Sequence, residues 1–341
     1  MFASENVFER TERIIMLKDI LTSAAEALKA GEAPDLSGLD CFSPAATEGN
    51  PHISPETARR IAATLTVADA PTFERALRAI DEGDLAWLGF KVVYDAEAAQ
   101  ANTDNEVTKK YGDVGSGDGR SGVFFCNDAK EIVTALEPSP RDIFQMKDAT
   151  RGPSMHTEQF DGLTWCSMPL FESVRVWLLG ASDAAAETAA LARHVGFDVT
   201  AVDYDAAYLN EERFPDAERI LLDDFETGLG QLHADSADYV CVLTRGHMFD
   251  PQGCVWATRN NVRYVGMMGC KGKNNAVHDL CRERGMTEEQ WDFVKRPIGL
   301  KFGAKTPAEL AIAIVAELVD VRYRQRYSEE ARKSHDAALG R

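Results

Sequence analysis

The sequence predicts an α/β protein with a parallel-sheet domain in its C-terminal half and a smaller α+β domain before it. From residue 174 onward, short apolar segments alternate with segments of helical periodicity, a pattern typical of βαβ units and a parallel sheet. In the N-terminal half, long helical segments precede isolated strands, and this alternation is absent. We therefore predict two domains of different architecture.

The composition indicates a globular protein and disfavours several function classes. The chain has 341 residues, of which 45% are hydrophobic and 27% charged, which suits two packed domains. Its net charge of −18 disfavours nucleic acid or an anionic membrane as the main partner. The N-terminal segment is charged throughout, and no apolar run has the length of a membrane span. The seven cysteines lack metal-binding spacing, so we expect reduced thiols in a cytoplasmic protein.

Residues 1–162 form the predicted N-terminal domain. Gly31 follows a long run of apolar residues at helical spacing, and Pro55 follows Ser54 at the start of a second helical zone. In chain order, we predict a helix at 5–30, helical structure with an interruption at 54–80, a strand at 85–94, a glycine-rich acidic loop at 111–122 and a strand at 123–126.

Residues 163–327 form the predicted C-terminal domain, and residues 328–341 form a polar tail. The last helix of this domain begins with a capping box from Thr306 to Glu309, with Pro307 at the first helical position. In chain order, we predict strands at 174–180, 197–203, 218–223, 238–244 and 262–268, and helices at 182–196, 251–261, 273–285 and from 307 onward.

The turn after the first of these strands is similar to a dinucleotide-binding turn. Such a turn places glycines where a strand meets a helix, and an acidic residue about 20 positions later binds a ribose. Gly180 supplies the first glycine, Ser182 replaces the second, and Asp203 closes the next strand. Asp183 at the helix start repels phosphate. The turn thus predicts a Rossmann-like fold, with NAD(P) as a disfavoured cofactor.

A basic segment in the C-terminal half is the strongest candidate for an anion site. Two of its pieces follow predicted strands, at the edge where open α/β sheets bind ligands. One piece contains Arg245 and His247, and the other runs from Gly266 to Asn274. A phosphate could bind there, or the segment could be a solvated turn. The basic residues are Arg245, Arg259, Arg263, Lys271 and Lys273, against the single acid Asp250.

Two side chains in this segment have both a functional and a structural interpretation. His247 could contact a ligand or carry a proton, although a single histidine after a strand is often only structural. Cys270 could have a lowered thiol pKa beside Lys271 at a helix N-terminus, although a single cysteine without a partner motif is usually inert. Cys254 and Cys281 lie on predicted helices and are interpreted as packing residues.

Two motifs in the C-terminal domain resemble those of the XdhC/CoxI family. They are YVGMMG at 264–269 and PIGLKFGAKTPAELA at 297–311, in the order and context that the family shows. The resemblance covers about residues 165–325. The chain departs from the family's GAGH turn at 180–183 and from its THDH segment at 244–247. The family's GSTPR-like and SVGGGxxE segments are absent from the N-terminal half, which is therefore divergent.

The resemblance implies a function that composition alone does not. Family members are similar to maturation factors for xanthine dehydrogenase and related molybdenum hydroxylases. They bind the molybdenum cofactor, molybdopterin, as cargo while a cysteine desulfurase adds its terminal sulfur, and they deliver it to the apoenzyme. The implied partners are a hydroxylase apoenzyme, a desulfurase and a second copy of the chain. No catalytic role follows from the resemblance.

Three functions therefore compete. The first is a cofactor-binding chaperone, the second an NAD(P)-dependent oxidoreductase that uses the Rossmann-like domain, and the third a scaffold with a decayed site. We predict no catalytic residue and no metal ligand. The candidate cofactor-binding residues are Gly180, Ser182, Asp203, Arg245, His247, Gly266, Gly269, Cys270, Lys271, Lys273 and Asn274.

Overall fold

A computed structural model describes residues 3–43, 50, 52–101, 119–149, 161–269 and 272–326. The chain divides into two compact units, one formed by Val7–Glu172 and the other mainly by Ser173–Arg341. Within the described ranges, no helix combines the length and the apolar composition of a membrane span. The predicted glycine-rich loop at 111–122 falls largely outside the described residues.

The N-terminal unit is an α+β structure, as the sequence predicts. Its four-stranded antiparallel sheet has the strand order β3-β2-β1-β4. Ser54 caps α2 through Thr57 N, with Pro55 at the first position. The predicted interruption after α2 separates it from α3, which ends at Gly83 in the left-handed conformation. The elements are α1 (Ala3–Ala30), α2 (Pro55–Ala62), α3 (Ala70–Glu82), β1 (Ala86–Val93), α4 (Ala96–Ala101), β2 (Gly122–Asn127), β3 (Ile132–Thr134), α5 (Pro140–Lys147) and β4 (Leu163–Pro169).

Because of strand β4, the boundary between the two units lies later in the chain than the sequence predicts. The sequence places the start of the second domain at Leu163, but β4 pairs along its length with β1, with Phe90 opposite Cys166. Cys166 and Met168 are buried in the core of the N-terminal unit. The boundary therefore lies at Ser173, because pairing assigns this strand to the first sheet.

The C-terminal unit contains the parallel sheet that the sequence predicts. Its five strands have the order β7-β6-β5-β8-β9, and every pair is parallel. Strands β5, β8 and β9 are buried along their whole length, as expected for a sheet covered on both faces. The elements are β5 (Arg175–Leu179), α6 (Asp183–His194), β6 (Asp198–Asp203), β7 (Glu218–Leu221), α7 (Phe225–Gly228), β8 (Tyr239–Val242), α8 (Asp250–Arg259), β9 (Tyr264–Met267), α9 (Asn274–Glu283), α10 (Glu288–Phe293) and α11 (Pro307–Arg326).

The strand order creates a crevice at the carboxyl ends of β5 and β8. The chain leaves β5 toward β6 on one side and later returns to β8 on the other side, so the connections diverge between them. Open α/β sheets bind ligands at such a switch point. The sheet also continues beyond β9, because Met267 N donates to Lys295 O (2.9 Å) and Ile298 N donates to Met267 O (2.9 Å).

Gly266 lies inside β9, where packing accounts for its missing side chain. A methyl group at this position would lie 2.5 Å from Ile298 Cδ1 and 2.6 Å from the Tyr264 hydroxyl. Real side chains do not approach so closely. The PIGL motif thus places Ile298 against the sheet at Gly266, and this glycine is a packing residue within the strand.

We expect Gly266→Ala to lower the free energy of unfolding of the C-terminal unit by about 1–3 kcal/mol, the usual cost of overpacking a core. Denaturant unfolding would measure the change. In an Ile298→Ala background the same substitution should cost less, because the clashing carbons are removed. Equal costs in both backgrounds would contradict the packing role.

Candidate functional site

Gly180 allows the loops after β5 and β8 to meet backbone to backbone. Its φ is +106°, and a side-chain carbon there would lie 2.5 Å from Thr244 Cα and 2.7 Å from Leu243 O. Only glycine satisfies both conditions. The close approach of the two loops therefore explains this glycine without a bound phosphate.

The other polar groups of the turn after β5 also form hydrogen bonds or ion pairs within the protein. Ser182 is the N-cap of α6 and accepts a hydrogen bond from Ala185 N (3.2 Å). Ala181 N donates to Asp203 (2.6 Å). The carboxylate of Asp183 pairs with Arg213 at 2.6 Å. These bonds occupy two backbone amides that a dinucleotide-binding turn would offer to a pyrophosphate.

The carboxylate of Asp203 is buried and accepts four hydrogen bonds within the protein. It accepts hydrogen bonds from the backbone N–H groups of Ala181 (2.6 Å), Tyr204 (2.8 Å) and Asp205 (3.0 Å). The guanidinium of Arg245 donates a fourth bond at 3.0 Å. Three of these donors reach Oδ1 and one reaches Oδ2, so most of the acceptor capacity that a ribose hydroxyl would need is already used.

The charge of Arg245 is likewise neutralised. Its guanidinium pairs with Asp203 at 3.0 Å and with Asp205 at 3.2 Å. Its central carbon lies 3.6 Å from the centre of the Tyr208 ring. Arg245 therefore holds the turn together and adds little net positive charge for a phosphate.

His247 is held by a buried carboxylate in an uncommon backbone conformation. Both Gly246 and His247 have φ of +64°, which is rare for a residue with a side chain. His247 Nδ1 lies 2.6 Å from Asp250 Oδ2, and the Thr244 hydroxyl donates to the other oxygen. With Asp250 ionised and the imidazole neutral, Nδ1 carries the proton and Nε2 is an acceptor.

Asp250 and Lys273 are electrostatic neighbours. Burial raises the pKa of the Asp250 carboxyl, while the bonds from Thr244 and His247 and the charge of Lys273 oppose that rise. The loop after β8 and the start of α9 therefore belong to one electrostatic environment.

The N-terminus of α9 has the features of an anion site. Lys273 at the N-cap forms no capping side-chain bond, and the first turn contains no acid. Lys273 is exposed. Asn274 Oδ1 is buried and has no hydrogen-bond partner among the described residues. A side chain at Gly269 would lie 3.1 Å from Pro297 Cα and 3.3 Å from Asn274 Oδ1, so this glycine permits a close approach.

The basic residues of this region do not form a single cluster. Arg245 and Lys273 lie near the carboxyl ends of the strands, whereas Arg259 ends α8 and Arg263 directly precedes β9. Arg259 and Arg263 therefore lie away from the two loops that the sequence assigns to the candidate site, because α8 carries the chain from one edge of the sheet to the other. Cys270 and Lys271 lie outside the described residues.

Two partners in the site had no signal in the sequence. Arg213 pairs with Asp183, and Asp205 pairs with Arg245. In each pair the two residues lie far apart along the chain, so their spacing in the sequence does not predict the contact. Within the described ranges, no group of three or more His, Cys, Asp or Glu residues could hold a metal ion.

Comparison with known proteins identifies the C-terminal unit. Residues 176–318 match the family described as the XdhC Rossmann domain. The C-terminal unit is thus similar to an XdhC Rossmann domain. The resemblance of the two motifs to the XdhC/CoxI family is thereby confirmed for XdhC, and so is the Rossmann-like fold.

Two relatives match this chain over part of their own length. It is 26% identical over 199 residues to the protein YqeB of Escherichia coli strain K12, covering 57% of this chain and 36% of the relative. It is also 26% identical over 172 residues to a probable xanthine dehydrogenase subunit of Bacillus subtilis strain 168, covering 50% of each. The chain thus spans half or less of these relatives.

A solved structure with a similar chain is described as a xanthine dehydrogenase from Bacillus halodurans. The match has a TM-score of 0.43 and 19% identity, and it covers 77% of this chain and 67% of the other.

We expect the protein to show no saturable binding of NADH below about 1 mM in calorimetry. The reason is that Arg245 and three backbone amides already occupy Asp203, the residue that would hold the ribose. Saturable NADH binding that Asp203→Ala abolishes would contradict this expectation and favour a dehydrogenase.

Proposed function

We propose that this protein is an accessory factor of a molybdenum hydroxylase of the xanthine dehydrogenase type, and that it binds the molybdenum cofactor as cargo. Two findings support the proposal: the XdhC Rossmann domain and the similarity to a protein named as part of a probable xanthine dehydrogenase. We further propose that it protects the cofactor during sulfuration by a cysteine desulfurase, delivers it to the apoenzyme and acts as a homodimer in the cytoplasm.

The N-terminus of α9 carries the binding proposal. The partial positive charge at a helix N-terminus favours an anion, and the unsatisfied N–H groups there can donate to phosphate oxygens. Lys273 adds a full charge, no acid in the first turn opposes it, and Lys271 precedes it in the sequence. Molybdopterin carries a phosphate, so this end of the cofactor is the natural ligand for the site.

Two neighbouring groups suit the rest of the cofactor. The buried oxygen of Asn274 can accept a hydrogen bond, and Nε2 of His247 can accept another while Asp250 holds the ring. The pterin ring presents N–H donors. We therefore assign Gly269, Lys273, Asn274 and His247 to the proposed site, and Lys271 on its sequence position.

The remaining candidates have structural roles that do not require a ligand. Gly180 and Gly266 are explained by close packing, Ser182 by capping, and the pair Asp203 and Arg245 by their mutual bond. An NAD(P)-dependent oxidoreductase would need the β5 turn and Asp203 free. The proposed function therefore uses the β9 side of the carboxyl edge and leaves the dinucleotide turn aside.

We expect the double variant Lys271→Glu, Lys273→Glu to lose at least about tenfold of its cofactor occupancy, because a charge-assisted contact to phosphate contributes about 1.5–3 kcal/mol. Protein purified from cells that make the cofactor would be assayed for molybdenum and for the fluorescence of the oxidised pterin. The matched control is Arg263→Glu, Arg324→Glu, which makes the same charge change at exposed positions outside the loop.

Equal occupancy in the two double variants would contradict the site assigned to α9. A wild-type protein that contains neither pterin nor molybdenum, and that takes up none on reconstitution, would contradict the cofactor-binding function itself.

A pull-down with a hydroxylase apoenzyme separates a cofactor carrier from a scaffold. We expect the apoenzyme to bind the cofactor-loaded protein and to release it once the cofactor has been transferred, as measured by the gain of hydroxylase activity. Stable capture of the apoenzyme by cofactor-free protein, with no gain of activity after loading, would support the scaffold instead.

A further inference from the structure

We propose that a cavity beside α8 is a second ligand site, for a small flat molecule with an anionic group at one end and a hydrogen-bond donor at the other. An aromatic or heteroaromatic carboxylate with a ring amino group has this chemistry. None of the residues assigned to the phosphate site lines this cavity. The inference therefore does not depend on the proposed function.

The cavity has the size of a small-molecule site, and one face of α8 forms its wall. Its volume is about 530 Å³, within the range of roughly 300–1,000 Å³ common for ligand pockets. The wall residues Gln252, Val255, Trp256 and Arg259 have the spacing i, i+3, i+4 and i+7, which places them on one side of the helix. The segment after α7 also lines the cavity, with Leu229, Gly230, Leu232 and His233.

Hydrogen bonds fasten the two walls to each other, so the cavity is preformed. Trp256 Nε1 donates to Leu232 O at 3.0 Å, and Asn260 Oδ1 accepts from Ala234 N at 3.2 Å. Arg284, at the end of α9, pairs with Glu226 at 3.2 Å and closes a third side. A preformed site loses little conformational entropy when a ligand enters.

The Arg259 end of the cavity is positively charged. Arg259 donates one bond to Arg284 O at 2.7 Å, but a guanidinium has five N–H donors. Across the described ranges, no carboxylate is paired with Arg259, whereas Arg284 has Glu226. The charge of Arg259 is therefore uncompensated and can pair with an anionic group, which a planar carboxylate does in bidentate fashion.

The Gln252 end offers an acceptor that has no donor. Gln252 Oε1 is buried and accepts no hydrogen bond from the described residues. Rotation of this amide toward the cavity allows a ligand N–H to satisfy it. Gln252 and Arg259 are two helical turns apart, about 10 Å between their Cα atoms, a span that a two-ring molecule with a polar group at each end can bridge.

The surface between the two polar ends is apolar. Val255 and Trp256 are 6% and 7% exposed, and Leu229 and Leu232 face them as buried residues. An apolar wall of this kind favours the apolar ring of a ligand over a charged group. The ligand class follows from these three parts: an acceptor, an apolar wall and a guanidinium.

The test uses 6-amino-2-naphthoate as the probe, in calorimetric titration of the full-length protein. We expect it to bind more tightly than 2-naphthoate, which lacks the donor, and than 2-aminonaphthalene, which lacks the anion. Arg259→Gln should weaken 6-amino-2-naphthoate about tenfold or more, while Arg259→Lys should retain most of the affinity. Arg263→Gln, at an exposed arginine outside the cavity, is the matched control.

The Gln252→Leu variant separates a ligand contact from a purely structural role, because a structural defect would change the binding of all three probes. It should weaken 6-amino-2-naphthoate several-fold and leave 2-naphthoate unchanged. Any one of three results would overturn the proposal. The three probes could bind with equal affinity, the Arg259→Gln and Arg263→Gln variants could bind 6-amino-2-naphthoate equally well, or the wild-type protein could show no saturable binding. The variant with Lys271→Glu and Lys273→Glu should bind the probe normally, which separates this site from the phosphate site.

Discussion

The buried carboxylate of Asp203 is the constraint on which the carboxyl edge of the C-terminal sheet depends. A charge excluded from water must be paired and hydrogen-bonded, or it destabilises the fold strongly. Three segments of the chain donate hydrogen bonds to Asp203. They are the turn after β5 through Ala181, the loop after β6 through Tyr204, and the loop after β8 through Arg245. These loops line the crevice where the strand order reverses. One carboxylate thus determines how that crevice is built.

Because of this pairing, little unpaired positive charge lies at the place where a Rossmann domain usually holds a dinucleotide. Arg245 and Arg213 are bound to carboxylates, so the β5 side of the edge is nearly neutral. At the β9 side, Lys273 stands at a helix start without an acid in the first turn. Charges more than about 8 Å apart are largely screened at physiological salt, so a net charge of −18 does not prevent an anion from binding to such a local site.

The sequence predicts the C-terminal fold well because that fold rests on local signals. The alternation of apolar and helical segments reflects the period of each element, and the capping box at Thr306 depends on contacts within four residues. The boundary at Leu163 depends instead on which strand β4 pairs with, and β1 lies far away along the chain. Arg245 and Arg259 illustrate the same limit, since α8 separates them in space although they lie close together in the sequence.

The candidate site shows that a residue in a recognisable sequence motif need not be one that contacts a ligand. Gly180, Ser182 and Gly266 belong to recognisable motifs, yet each is accounted for by a close approach, a cap or a packing contact. His247 and Asn274 differ, because folding alone does not explain them. One has a strained backbone and a ring aimed by a buried carboxylate, and the other has a buried oxygen without a partner among the described residues. Strain and unmet hydrogen bonds persist where a function maintains them, so these two residues support the proposed site more strongly than the glycines of the motifs do.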